Sequence, residues 1–236
     1  MKLASVPYGN AIPIIDRLEF PIWQATPRQI LENPKRWDIG LLSIVSLFEN
    51  RHWQLIPGVA IGSFHEVKSV KLIHLKKYIT IDNLKFISLS NESNTGNALL
   101  KVLLQFLWKR NLQEITWCEG GNREAEAKLV IGDTALNEEM PHGVDLGKAW
   151  TDWTGLPFVY AMWIAKNLEG VHWGETNLIP IALGNLKNLE GIAKRRFADQ
   201  YPPMLNYWKT LCYDWGPKQI EALALFKEYY QKLAQS

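Results

Sequence analysis

Most of the side chains in this sequence that could touch a ligand are neutral. Ser93, Asn94 and Thr95 stand together just ahead of a stretch in which Leu99, Val102, Leu103, Phe106 and Leu107 recur at helical spacing. Free backbone N–H groups and the dipole at a helix start favour an anion, so the cluster is a natural carboxylate site. Capping alone explains the same three residues equally well. Ser69, in Val67-Lys-Ser-Val70, reaches a ligand if its extended segment borders a cleft and solvent if it does not. Asn10 precedes a short apolar stretch and reads first as a helix cap. Gly132-Asp133-Thr134 closes the apolar run 129–131, and Thr154-Gly155-Leu156-Pro157 opens the run 158–164, so a Gly and a Pro fix the backbone where strands enter and leave a sheet. That arrangement suits a hinge beside a cleft, with Asp133 and Thr134 at its rim and Trp153, Thr154 and Gly155 along its wall. An Asp side chain bonding its own turn, and a Trp in the core, are the plainer accounts of the same residues.

Charged and sulfur chemistry is sparse. His52, His65, His74, His142 and His172 have no partners at any motif spacing, and His65-Glu66 alone is a weak signal. Cys118 and Cys212 lie far apart without Cys/His pairs at metal spacing, so neither a disulfide framework nor a metal site is expected. Both read as free thiols of a reducing compartment. Lys194-Arg195-Arg196 is a solvated helix face, and Gly120-Gly121 a turn, since no strand-GxGxxG-helix pattern surrounds it. A net charge of +2 is too mild for a nucleic-acid binder and leaves small anions as candidate ligands. The eleven Trp can fill a core or wall a pocket. No run approaches a membrane-spanning length and no signal-like apolar region precedes Pro7 and Asn10, so a cytoplasmic location is expected.

The 236 residues could form one large domain or two lobes. Strand patterns at residues 2–6, 20–24, 38–42, 55–63, 67–75, 86–90, 114–118, 129–131 and 158–164 alternate with helical ones. Thr26-Pro27 opens a helix with its cap and first-turn proline in order, and residues 123–127 read as a short helix. Beyond Ala165 the stripes Leu186 to Phe197, 205–211 and 223–233 are helical. Alternation with a helical tail predicts an α/β protein. Residues 83–163 carry their own strand-helix series, so the expected division is a first lobe from residues 1–82 plus 164–236 and an inserted lobe of residues 83–163.

Taken in order, Val6-Pro-Tyr-Gly-Asn-Ala11, Asp38-Ile-Gly-Leu41, Val67-Lys-Ser-Val70, Ser93-Asn-Thr95, Ile131-Gly-Asp-Thr-Ala-Leu136, Asp145-Leu-Gly147 and Trp153-Thr-Gly-Leu-Pro-Phe158 resemble the chorismate dehydratase family of the futalosine route to menaquinone. The resemblance covers roughly residues 3–166. It implies a two-lobed, type II periplasmic-binding-protein-like α/β fold with a central cleft, and a lyase that removes water from chorismate to give 3-[(1-carboxyvinyl)oxy]benzoate. The elimination makes an aromatic ring, so the site has only to hold two carboxylates, orient the leaving hydroxyl and exclude water. No cofactor or metal is implied. Asn10 falls on the family's Tyr-x-Asn motif and is the first catalytic candidate, its amide able to donate to the departing hydroxyl without titrating. Ser93 is the second. Tyr8, Ser69, Asn94, Thr95, Asp133 and Thr154 are the expected contacts to chorismate or a related carboxylate.

The sequence also departs from the pattern. Pro7 and Gly9 change the loop that presents Asn10, Asn94 stands where an arginine is usual, Gly96 replaces a serine, and Gly62-Ser-Phe-His-Glu66 lacks an Asp-Gly-Pro turn. Losing the arginine removes a bidentate carboxylate partner. Two alternatives therefore stand beside the dehydratase: a non-catalytic binder of a small organic anion, and the sister enzyme on the same fold that makes dihydroxynaphthoate.

Overall fold

The structure, a computed structural model, describes residues 1–120, 124–137 and 143–234. Among them, eleven strands form two sheets. The first contains β1 (Leu3–Ser5), β2 (Ile22–Gln24), β3 (Ile39–Ser43), β4 (Gln54–Ser63), β10 (Phe158–Ala165) and β11 (Leu211–Cys212), in the order β11-β4-β10-β3-β1-β2. The second contains β5 (Val70–His74), β6 (Phe86–Leu89), β7 (Thr116–Glu119), β8 (Ala127–Ile131) and β9 (Gly143–Asp145), in the order β7-β6-β8-β5-β9. β1 runs parallel to β2 and β3, whereas β10 is antiparallel to both β3 and β4. The central strands read as unbroken apolar runs because both faces are covered. In β4, Pro57 and Gly58 fall where the register with β10 shifts, between Met162↔Ala60 and Ile164↔Leu55. A proline without an N–H and a glycine at φ +127 both belong at such a bulge.

The chain leaves the first sheet at Ser63 and re-enters it at Phe158, and these two residues are register partners. Two adjacent segments, 64–69 outward and 146–157 back, therefore join the sheets. They are stitched together: the carboxylate of Asp145 accepts from the N–H groups of Val67 (3.1 Å) and Lys68 (2.7 Å), and Thr151 Oγ1 from that of His65 (3.1 Å). Asp145 also caps the helix Leu146–Thr154 by accepting from Lys148 N at 3.0 Å. Its burial raises the carboxyl pKa against the pull of these three N–H donors.

This places the expected lobe boundaries differently. β5, assigned to the first lobe, belongs to the second sheet, and β10, assigned to the inserted lobe, lies in the middle of the first. The apolar run that makes β10 recognisable as a strand carries no information about which sheet it joins, because pairing is decided far away in sequence. β10 serves both cores. Phe158, Tyr160 and Met162 pack with Leu72, Leu99 and Leu129, while Trp163 and Ile164 pack with Leu3, Ile39 and Leu41.

Helices fill the faces. Thr26 and Gln29 form a reciprocal capping box at the helix Pro27–Glu32. The helix Asn94–Val102 runs on into a π turn, Leu103–Leu107, and the helix Pro217–Leu233 packs on Asn94–Val102 and β10. The stripe from Leu186 to Phe197 is two helices, Ile179–Leu186 and Leu189–Phe197, the second capped by Asn188, and Asn167 caps a further helix, Leu168–Asn177. Residues 124–126 are turn and bend rather than helix, and Ala127 opens β8. Gly121, Arg123 and His142 lie outside the described residues. Among the described residues, no helix is long and apolar enough to cross a membrane.

Candidate active-site cleft

A cleft opens where β1 and β3 end, facing Val67, Ser69 and the end of β8 across the gap between the sheets. The space between its walls is about 620 Å³, including the part open to solvent. Its lining is largely apolar, with Val6, Leu41, Ile61, Val70, Ile131 and Leu211 among the walls. Polar groups enter from Tyr8, Asn10 and Ser43 on one side and from Ser69, Glu92 and Ser93 on the other. Tyr160, from the middle of β10, forms part of the wall, and its hydroxyl lies 3.5 Å from Ser63 Oγ. Burial raises the pKa of Tyr160 and of Tyr8, which therefore remain protonated.

Asn10 does not cap a helix. It sits inside a single 3₁₀ turn, Gly9–Ala11, that runs into the helix Ile12–Ile15, and neither element has a side-chain cap. The amide is therefore free for the cleft. Its Oδ1, buried, has no hydrogen-bond partner. The Tyr8 hydroxyl is buried and partnerless as well. Most buried polar groups are satisfied, so two such orphans in one cleft wall mark where a ligand's polar atoms fit. The turn itself is held from the C-terminal segment: Trp208 Nε1 donates to Gly9 O at 2.9 Å, and the Tyr213 hydroxyl to Asn10 O at 2.9 Å.

Ser69 is buried, 2% exposed, and its Oγ accepts from the Tyr207 hydroxyl at 2.8 Å. Its carbonyl accepts from Gly132 N at 2.8 Å, and Gly132, at φ +65, makes the turn by which β8 passes into the helix Gly132–Asn137. The expected Gly132-Asp133-Thr134 turn is thus the first turn of a helix, and it lies within the second lobe rather than at the crossing between lobes. Asp133 stands at the cleft's edge, where its Oδ1 accepts from Gly9 N at 3.3 Å.

Of the expected contacts, Tyr8, Asn10, Ser69 and Ser93 meet in the cleft, and Asn94, Thr95, Asp133 and Thr154 are not among its lining residues. Ser93 is the N-cap of Asn94–Val102, its Oγ accepting from Gly96 N at 2.9 Å. One residue further on, the helix turns each side chain away. Asn94 opens on a separate groove beside Lys101 and Tyr230. Thr95 is buried, its Oγ1 2.6 Å from Ser43 Oγ and accepting from Val45 N at 3.4 Å, which fastens the two helix starts together. Thr154 closes its own helix, donating to Trp150 O at 2.9 Å and accepting from Leu156 N at 3.2 Å. No local sequence signal marks Tyr160, Ser43, Glu92 or Tyr207, because each falls in a stretch whose pattern is explained by packing or capping. Glu92 is the charged residue among those lining the cleft. Among the described residues, no group of three or more His, Cys, Asp or Glu could hold a metal ion.

Two α/β lobes joined by paired crossing segments, with a cleft at the ends of the strands, define a periplasmic-binding-protein-like protein with a helical C-terminus. Solved structures share the fold. A protein from Archaeoglobus fulgidus superposes with a TM-score of 0.74 at 13% identity, covering 100% of this chain and 98% of its own. The periplasmic aliphatic sulphonate binding protein of Escherichia coli gives 0.63 at 13% identity, covering 100% and 91%. A Candida albicans protein described as having the generic periplasmic binding protein fold gives 0.62 at 11%, covering 100% and 90%. The chain belongs to the menaquinone biosynthesis family, whose sequence model matches residues 1–232. It is 30% identical over 184 residues to the chorismate dehydratase of Thermus thermophilus, a match spanning 66% of each chain and so just under two thirds of that relative's length.

Proposed function

We propose that this protein is a lyase of menaquinone biosynthesis that dehydrates chorismate to 3-[(1-carboxyvinyl)oxy]benzoate, without cofactor or metal. The observation that carries the reading is the pair of partnerless buried atoms, Asn10 Oδ1 and the Tyr8 hydroxyl, beside the Ser69 hydroxyl in one mostly apolar cleft. Because Ser69 Oγ already accepts from Tyr207, its own hydrogen is left to donate. In the bound complex the leaving hydroxyl of the substrate receives that hydrogen bond and gives its own to Asn10 Oδ1. Asn10 thus orients the hydroxyl as an acceptor, while Ser69 eases its departure. The C–O bond breaks, the adjacent ring C–H bond supplies electrons to the new double bond, and the proton leaves with the oxygen as water. Aromatisation drives the step, so positioned neutral groups suffice.

No Lys or Arg lines the cleft among the described residues, and the substrate's carboxylates must be received otherwise. Of the first N–H groups of Asn94–Val102, those of Gly96 and Asn97 are taken by Ser93 Oγ and Ser93 O. The N–H groups of Asn94 and Thr95 remain to receive a carboxylate at the helix start. The periplasmic-binding-protein-like fold, seen also in a protein named for binding aliphatic sulphonates, is in keeping with a small organic anion in this cleft. The test is incubation with chorismate, with formation of the carboxyvinyloxybenzoate followed by chromatography. A rise in melting temperature with chorismate but no product would leave a binder in place of an enzyme.

A further inference from the structure

We propose that Tyr207 is a positioning residue that sets the donor direction of the Ser69 hydroxyl from outside the cleft. The inference rests on the dehydratase reading for its kinetic arm and on geometry alone for its structural arm. Tyr207 lies on the helix Tyr201–Trp208, is 5% exposed and is not among the lining residues. Its hydroxyl nonetheless bonds a polar side chain on which the proposed chemistry turns. It donates to Ser69 Oγ at 2.8 Å.

A phenol has one hydrogen to give. With that hydrogen on Ser69, the serine's own hydrogen is directed elsewhere, toward the cleft that Ser69 lines. The bond from Tyr207 polarises the serine hydroxyl and strengthens it as a donor. It also bridges parts of the molecule remote in sequence. Ser69 ends the outgoing crossing segment, and Tyr207 comes from the C-terminal helices. The same segment fixes the backbone of the Asn10 turn through Trp208 and Tyr213, so Tyr207 completes a mount whose other contacts are to main chain.

The experiment compares Tyr207→Phe, Ser69→Ala and the double variant, with Tyr230→Phe as a control, since the Tyr230 hydroxyl bonds Glu49 away from the cleft. Tyr207→Phe should lower kcat for chorismate by about 10- to 100-fold while leaving KM within about threefold, as misdirected groups cost rate rather than binding. The double variant should be no slower than Ser69→Ala alone, because Tyr207 acts through the serine. A kcat within about twofold of wild type, or losses that multiply in the double variant, would overturn the proposal. In crystals of Tyr207→Phe, Ser69 Oγ should turn from its wild-type direction; if it stays in place, Tyr207 does not position it. If the wild-type protein turns over no chorismate and yet Ser69 Oγ moves in Tyr207→Phe, the mount stands and the dehydratase reading is what fails.

Discussion

Asn10 and Ser93 are both cap-competent residues ahead of apolar helical stretches, and the structure separates them. Ser93 caps and Asn10 does not. Asn10→Ala should therefore lower kcat by about 100-fold, the scale of losing one group that holds a reacting atom in place. Its effect on stability should stay within about 1 kcal/mol, because the buried amide oxygen has no hydrogen bond in the folded protein to lose. Steady-state rates and urea unfolding of the same preparation check this, and a wild-type rate would remove Asn10 from the mechanism. Ser93→Ala should show the opposite balance. Losing the bond to Gly96 N costs about 1 kcal/mol, or about 2–4 °C in melting temperature for a chain of this size. KM should rise and kcat change little, because the loosened first turn is the one that offers its N–H groups; an unchanged melting temperature with an unchanged KM would refute both roles. At this scale the sequence was readable where a residue type fits one job. It was opaque where three neighbours, Ser93, Asn94 and Thr95, could all do the same one. Helix geometry sends the first into the cleft, the second to another groove and the third into the core, and only the position of the first turn decides which.

Among the elements, those legible in sequence are the ones whose signals are local. Thr26-Pro27 with Gln29 announces its helix, and β3, β6, β8 and β10 are apolar runs bounded by turn formers. The pairing of β10 with β3 and β4, and of β5 with β8 and β9, depends on contacts far apart in the chain, which is why the lobe boundaries were misplaced. Gly132 misled for a different reason: a glycine at positive φ marks a turn equally well when a helix follows at once. The element on which cleft geometry depends most is the returning crossing segment. An added Cβ at Gly147 would lie 2.6 Å from Ser63 Oγ, 2.8 Å from the Tyr160 hydroxyl and 3.0 Å from His65 O. One of these contacts is backbone, so the strain cannot be relieved by side-chain rotation alone. Gly147→Ala should cost about 1–3 kcal/mol, the range for overpacking a filled site, visible as a lower urea midpoint. It should also raise KM by pushing the outgoing segment, which carries Ser69, away from Asn10. An unchanged midpoint would mean that the crossing segments separate more easily than their hydrogen bonds imply.

For the molecule as a whole, the cleft is where three parts of the chain are drawn together, and tyrosines are common at that junction. Tyr8 and Tyr160 line the cleft, while Tyr207 and Tyr213 hold its walls from the C-terminal segment. Burial is the leading cause of a raised pKa in all four, to about 12 for Tyr207. The linkage has a definite sign. In the unfolded chain these phenols ionise near pH 10, and in the folded one they stay protonated above it, so the folded state binds more protons once pH passes that value. Their contribution to stability is complete below pH ~10 and is lost as pH climbs toward the folded values, at about 1.4 kcal/mol per pH unit for each buried group. The three buried groups, Tyr160, Tyr207 and Tyr213, together lose about 4 kcal/mol per unit, and half-buried Tyr8 adds a smaller, solvent-screened share; the sum approaches the whole stability of an ordinary domain. Both lobes should therefore unfold cooperatively within roughly one to two pH units above 10, with kcat level up to the onset because no cleft tyrosine titrates in the folded protein before then. Thermal melts and initial rates from pH 8 upward measure this, and Tyr213→Phe should make the fall shallower by one group's share. A melting temperature that stays flat through pH 11 would show that the phenols reach water in the folded state, and that the cleft is not the closed junction described above.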